Sequence, residues 1–472
     1  MNQVLVDLEL ASHGPATPPP GGEALVPVAE GRGGAVEAGI VDLHGHTVGW
    51  FRLAGGERHG AIGVAEGQTI TTLIKRSIDA GIPIVGVIDS GGADVLEGVA
   101  SLHAWGRVAR ALTQASGVVP ICLIVTGAAV SGPALLLGLA DVVVATPATI
   151  AYVTGPATVE QMTGRSVSRD DLGGFGVHTG RSGVAHVVAA DEEEALEVVA
   201  DVLSFLPPNV LEPAPVYATA DPFDRPCYRA AAIVPANPNM PYDVRELVAD
   251  VVDDGDLFEL RAGYASALTT ALARIDGRPV GVLANNPLHL AGTLDIEASR
   301  KGARFVRWCD AFGLPLVTFV DTPGFLPGVE QEWRGMIRHG AELAFAYALA
   351  TVPRLCVVVR KAYGGAYIVM DAKGMGNDLC IAWPGAELAV MGASGAVAIL
   401  NRRELAADPD RRAELEADYQ AKFCTPRVAL ERGYVDRLVE PHETRAVLAR
   451  GLRALANKRE QLPHRKHENT PL

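Results

Sequence analysis

IPIVGVIDSGG at residues 82–92 returns as LPLVTFVDTPG at residues 314–324. Asp89 of the first copy answers Asp321 of the second, an offset of 232 (321 minus 89). The register holds outward from there. GHTVG at 45–49 answers GRPVG at 277–281 at the same offset. Pro120 answers Pro353 and Gly132 answers Gly365, each at 233. Asp141, Pro147 and Gly155 answer Asp378, Pro384 and Gly392, each at 237. Agreement over so long a stretch, with only small insertions, marks a duplicated domain. In each copy a short apolar run ends at an aspartate and a glycine turn. That is how a buried strand feeds a helix, so the fold class is α/β, in two tandem domains.

Composition agrees. A chain of 472 residues exceeds a single hydrophobic core. The net charge of −14 is spread along the chain, against nucleic acid or anionic membrane as a partner. Six cysteines stand without a CxxC pair, which excludes a zinc ribbon and argues against a disulfide framework. No metal is expected. Asp7 and Glu9 interrupt the first apolar residues, so no signal peptide is read there and a cytoplasmic location is expected. Residues 117–140 carry no charge, long enough to cross a bilayer. Pro120, Ser131, Gly132 and Pro133 break that run, and its second-half counterpart carries Arg360 and Lys361. A buried strand, a glycine turn and a buried helix explain it better.

Residues 1–34 are expected to be a disordered leader, rich in Pro, Gly and Ala over much of their length. A first domain is expected over 35–220 and a second over 221–472, separated by the proline-rich stretch 206–224. The periodicity predicts a helix over 69–80 that stops at Gly81, and strands at 84–88, 118–125 and 141–145. The second half repeats the order, with a helix at 295–312 and strands at 314–320, 354–359 and 379–383.

Each half offers two glycine turns: residues 89–92 and 127–132 in the first, 321–325 and 361–367 in the second. A turn between strand and helix aims free backbone N–H groups at one point, which binds a phosphate or steadies an oxygen gaining charge. For one such turn, close helix–sheet packing is the simpler explanation. Four at duplicated positions favour function. None matches a nucleotide-phosphate loop. The side-chain inventory is thin. His178 and His186 read as structural, and Ser90 and Ser131 lack a His/Asp partnership. Asp253, Asp254, Asp256 and Glu259 read as a solvated helix cap.

Longer stretches resemble a known family. They include DSGGADVLEG, TGRSVSRDDLGGFGVHTGRSGVAH, VPANPNMPYDV, LDIEASRKGARFVRWCDAFGLP, FVDTPGFLPGVEQE, GGAYIVM, AWPGAELAVMGASGAV and the closing LPHRKHENTPL. Together they cover roughly residues 35–472 and resemble the carboxyltransferase (beta) subunits of biotin-dependent acyl-CoA carboxylases, nearest to the propionyl-CoA type. The resemblance implies two crotonase-like domains. It implies a homohexamer whose active sites lie between the first half of one subunit and the second half of its partner. It implies biotin on a separate carrier protein, a biotin carboxylase/biotin carrier (alpha) subunit as partner, and an acyl-CoA as acceptor. In the family's chemistry carboxybiotin releases CO2, the biotin enolate takes the alpha proton of the thioester, and the thioester enolate attacks CO2.

By that resemblance Ser131 and Gly132 hold the thioester oxygen, and Gly365 and Ala366 the biotin ureido oxygen. Substrate is expected to meet Gly91, Gly92, Asp94 and Gly155 in the first half. In the second it is expected to meet Gly324, Phe325, Gly364, Tyr367 and Ile368. Three first-half features depart from the family. The Pro-rich leader stands where relatives have a helical segment, Ser131 replaces a glycine, and Asp94 replaces an arginine, setting a negative charge where CoA is expected. Ile368 stands where propionyl-selective relatives have aspartate, which leaves the acyl chain open between acetyl and propionyl. A decarboxylase or transcarboxylase would use the same half-reactions, and a non-catalytic assembly subunit is the rival from another class.

Overall fold

The structure, a computed structural model, describes residues 22–27, 35–55 and 58–471. The chain divides after Pro213 into two compact units. The first carries strands β1 (Gly22–Pro27), β2 (Val36–Leu43), β3 (His46–Leu53), β4 (Ile84–Ser90), β5 (Ile121–Val130), β6 (Val142–Ala145), β7 (Ile150–Tyr152) and β8 (Val187–Val188). They form one sheet in the order β1-β2-β3-β4-β5-β6-β8, with β7 paired to the far end of β5. β1, β2 and β3 are antiparallel, and from β3 to β8 the pairing is parallel.

The second unit repeats this path. Its strands are β9 (Leu257–Leu260), β10 (Leu268–Ile275), β11 (Arg278–Asn285), β12 (Leu316–Thr322), β13 (Arg354–Tyr363), β14 (Leu379–Ala382), β15 (Glu387–Ala389) and β16 (Arg437–Leu438). Their order is β9-β10-β11-β12-β13-β14-β16, with β15 paired to the end of β13. Local chemistry dictates the same start in both units. His44-Gly45 and Asp276-Gly277, all four at positive φ, make the two-residue turns that suit a twisted hairpin. Parallel strands then need crossovers, supplied by helices such as Val64–Ala80 and Ile296–Ala311. Val64–Ala80 buries Ile70, Leu73 and Ile74 and stops at Gly81, whose φ of 65° closes the helix.

Three expectations change. Gly22–Pro27, inside the stretch read as a disordered leader, is a strand paired to β2; the rest of residues 1–34 lies outside the described residues. β5 runs on to Val130, so residues 127–130 are strand and only Ser131 and Gly132 make the turn. The first crossover helix begins at Val64 rather than 69. No described helix is long and apolar enough to cross a membrane, and the uncharged stretch 117–140 becomes β5 and the short helix Gly132–Leu137.

Candidate active site

In each unit the ends of two central strands are tied by one carboxylate. Asp89, near the end of β4, accepts the Ala128 N–H at 2.8 Å. Asp321, near the end of β12, accepts the Lys361 N–H at 3.1 Å. Both ties span a shift in strand register, after Ile88 and after Val320. They tie the strands together near their carboxyl ends, where α/β sheets place their ligands.

The support behind the two carboxylates differs. Arg360 donates from Nε to Asp321 at 2.9 Å, and Tyr242 donates its hydroxyl to the same oxygen at 2.9 Å. Burial pushes the Asp321 carboxyl up from its ordinary range, against the pull of Arg360. Burial, together with Asp321, likewise pushes the Tyr242 hydroxyl well up. In the first unit Gly127 stands at the place of Arg360, packed against the Asp89 carboxylate with no room for a side chain.

The turns follow. Ser131 sits at φ 61°, ψ −117°, and Gly364 at φ 61°. The common offset of 233 matches Ser131 with Gly364, Gly132 with Gly365 and Pro133 with Ala366. The pairs expected from the family resemblance, Ser131–Gly132 and Gly365–Ala366, are therefore one residue out of register with each other. In the second unit Gly364, Gly365 and Ala366 open the helix Gly364–Val369, where N–H groups have no intrahelical acceptor. In the first unit the Ser131 N–H already donates to the Tyr152 carbonyl at 3.0 Å, and Pro133 has no N–H. Of the expected first-half pair, only Gly132 keeps its N–H for another acceptor.

Around each turn an aromatic ring and a second loop close in. A Cβ built on Gly132 would lie 2.7 Å from Trp105 Cγ, and one on Gly365 would lie 3.5 Å from Phe325 Cε2. A Cβ on Gly92 would lie 3.8 Å from that of Ser131, so the turn containing Gly91 and Gly92 faces the Ser131 turn. In the second unit it is the Phe325 ring that comes near Gly365, while a Cβ on Gly324 would meet nothing within 4 Å. Gly155 starts the helix Pro156–Thr163, and a Cβ built on it would lie 3.4 Å from a Tyr152 ring carbon, as one on Gly392 would from Tyr363.

Beside the second-unit turn lies a largely apolar cavity of about 560 Å³. It brings together Gly364, Gly365, Tyr367 and Ile368, as the sequence places them. Ile368 is 44% exposed toward that space. Tyr419, Phe423 and Tyr434 form an aromatic side, with Lys373 and Arg432 as cations. Sequence reasoning missed these walls. Tyr419 and Phe423 lie where the second half is longer than the first: the offset is 237 through the helices Pro156–Thr163 and Ala393–Leu400, and 250 at β8 and β16.

Asp94 requires a correction. It is buried, caps the turn Val95–Glu97 by accepting the Leu96 N–H at 2.9 Å, and is ion-paired to Arg58. Its charge is matched internally and does not face solvent as a free anion. His178 bonds the Ala151 carbonyl at 2.7 Å and Ser182, and His186 accepts the Val143 N–H, so both tie backbone together. Among the described residues, no group of three or more His, Cys, Asp or Glu could hold a metal ion.

Comparison with known proteins follows the same outline. The family description "Carboxyl transferase domain" matches residues 31–470. The propionyl-CoA carboxylase beta chain of Saccharopolyspora erythraea is 46% identical over 429 residues, covering 88% of this chain and 79% of that one. The biotin-dependent acetyl-/propionyl-coenzyme A carboxylase beta5 subunit of Mycobacterium tuberculosis is 42% identical over 455 residues, 93% of this chain and 83% of that one. Among solved structures, the transcarboxylase 12S hexamer with hydrolysed methylmalonyl-coenzyme A bound matches with a TM-score of 0.89 at 41% identity, covering 93% and 85% of the two chains. Likeness at this identity runs through both halves, and the chain belongs to the carboxyl transferase family that includes the beta chains of propionyl-CoA and acetyl-/propionyl-CoA carboxylases.

Proposed function

We propose that this chain moves a carboxyl group between biotin, held on a separate carrier subunit, and the alpha carbon of a short acyl-CoA. The observation that carries the reading is the second-unit cavity, which is lined by Gly364 and Gly365 at the start of the helix Gly364–Val369. A volume of about 560 Å³ with apolar and aromatic walls suits a small, mostly apolar ring system with one polar edge. Biotin, when bound, supplies the carboxyl group and the base. The chain's own part is positional. The N–H groups of Gly365 and Ala366 meet an oxygen that gains charge, worth a few kcal/mol of barrier for each donor of this kind. Arg432 adds positive potential at the rim, while the Lys373 ammonium is paired with Asp436 at 2.7 Å. Ile368 meets the acyl group with an apolar side chain that separates acetyl from propionyl by about 1–3 kcal/mol at most.

In the first half the thioester oxygen is assigned to the N–H of Gly132, since the Ser131 N–H is taken by Tyr152, with CoA along Gly91, Gly92 and Gly155. The hexamer named for the transcarboxylase neighbour supports a hexamer here; the family resemblance adds that each site is shared between the first half of one copy and the second half of another. The proposal places the enzyme in the cytoplasm.

The test is purified chain with free biotin and methylmalonyl-CoA. Biotin-dependent loss of the carboxyl group supports the reading and removes the scaffold alternative. No turnover with malonyl-, methylmalonyl- or acyl-CoA in the presence of a competent biotin carrier overturns it. The transcarboxylase neighbour favours one second reading, transfer between two acyl groups by the same half-reactions.

A further inference from the structure

The outer side of the cavity hangs on one carboxylate. The helix Arg412–Tyr419 runs straight into a π-helical turn, Gln420–Cys424, and these two segments supply Tyr419 and Phe423. The two rings pack with centroids 5.0 Å apart. Wide π turns are uncommon and occur mostly at functional sites. Glu387, the first residue of β15, lies behind the cavity wall. Its Oε1 accepts from Gln420 Nε2 at 2.7 Å, at the first residue of the π turn. Its Oε2 accepts from the hydroxyl of Tyr363, the residue just before Gly364. The next residues of its own segment, Leu388, Ala389 and Val390, line the cavity. A single side chain thus connects the glycine turn, the cavity floor and the aromatic wall.

We propose that Glu387 is a positioning residue: it sets the distance between the Gly364 turn and the Tyr419–Phe423 wall, and with it the fit of biotin's ring system. The inference rests on the reading of this cavity as the biotin site. The two arms act in series, so cutting either one frees the wall. Glu387→Gln can keep both bonds, because a carboxamide oxygen accepts two hydrogen bonds and the Gln420 amide can turn to suit.

The experiment compares the full chain with Glu387→Ala, Glu387→Gln, Tyr363→Phe, Gln420→Ala and the Tyr363→Phe/Gln420→Ala pair. Hydrogen exchange over residues 412–424 reads the clamp itself. It is expected to quicken about tenfold in Glu387→Ala, the scale of one or two lost hydrogen bonds, and to stay near wild type in Glu387→Gln. The double variant is expected to be no faster than either single one, the mark of a series connection. With free biotin as the probe, KM for biotin is expected to rise about tenfold in Glu387→Ala while KM for methylmalonyl-CoA holds. Unchanged exchange in Glu387→Ala, additive effects of the two arms, or failure of Glu387→Gln to rescue would each overturn the proposal. A wild-type chain that uses no biotin would instead count against the reading of the cavity, and the exchange data would still decide the clamp.

Discussion

Both halves bend the chain at one place, at φ 61° on Ser131 and on Gly364, yet they do not offer the same groups. Gly364 adopts that conformation freely, and two N–H groups follow it. Ser131 is strained there, its own N–H is taken by Tyr152, and Pro133 removes the donor that matches Ala366. Behind the turns the contrast repeats. The second half braces its strand ends with a buried Asp321–Arg360–Tyr242 cluster, and the first with Asp89 against a bare glycine. Buried cations follow the same division: among the described residues Lys301, Arg354, Arg360 and Arg445 are buried, all in the second half, and Thr69 stands at the first-half place of Lys301. A backbone frame survived duplication while the chemistry hung on it diverged.

The sharpest way to break this comparison is at the intact turn. Gly365 has a φ any residue can adopt, and a Cβ there meets Phe325 at an ordinary 3.5 Å. Gly365→Val should therefore fold, while its methyl groups block the approach to the N–H groups. Carboxyl transfer is expected to fall by about a thousandfold, the scale of a lost oxyanion donor, in an assay run beside a circular-dichroism melt. A folded variant with near wild-type turnover would make Gly365 a packing residue only.

Next comes the charge behind the turn. Arg360→Met leaves Asp321 buried without its cation and should destabilise the second unit by about 3 kcal/mol. Hydrogen exchange at β12 and β13 reads that loss, and the first unit's exchange should not move. Equal loosening of both units would mean that they do not open separately.

Pro133→Ala tests the missing donor. It restores an N–H at the position matched to Ala366, and kcat with acyl-CoA is expected to rise about tenfold, a fraction of what a full oxyanion donor contributes. An unchanged rate would show that the first-half oxygen is met elsewhere. The smallest effect is expected from Ser131→Gly, which relieves the positive φ and should stabilise the first unit by about 1 kcal/mol in a thermal melt. Destabilisation there would mean that the Ser131 hydroxyl holds the turn.

Much of this was legible in the sequence, for identifiable reasons. Matched strands, hairpin turns and the aspartates that end them rest on local patterns, and the duplication let each half check the other. Pro133 was legible too, since the offset matching Gly132 with Gly365 also matches Pro133 with Ala366. Other features depend on contacts between distant segments. Arg58 neutralises Asp94 from 36 positions away, and nothing in DSGGAD announces it. The strand continuing through Gly127 depends on β7 pairing beside it at Ala128, Ala129 and Val130. Tyr419 and Phe423 have no counterpart in the first half to draw attention to them.

The shared carboxylate tie gives this architecture a particular kind of evolvability. Asp89 and Asp321 clamp the strand ends from the side, through the N–H groups of Ala128 and Lys361 and not through the turn residues. Single codon changes at the turn, glycine to serine or alanine to proline, can then retune one copy without loosening its sheet. A duplicated enzyme built this way can let one site drift toward a new acceptor while the other continues its original task.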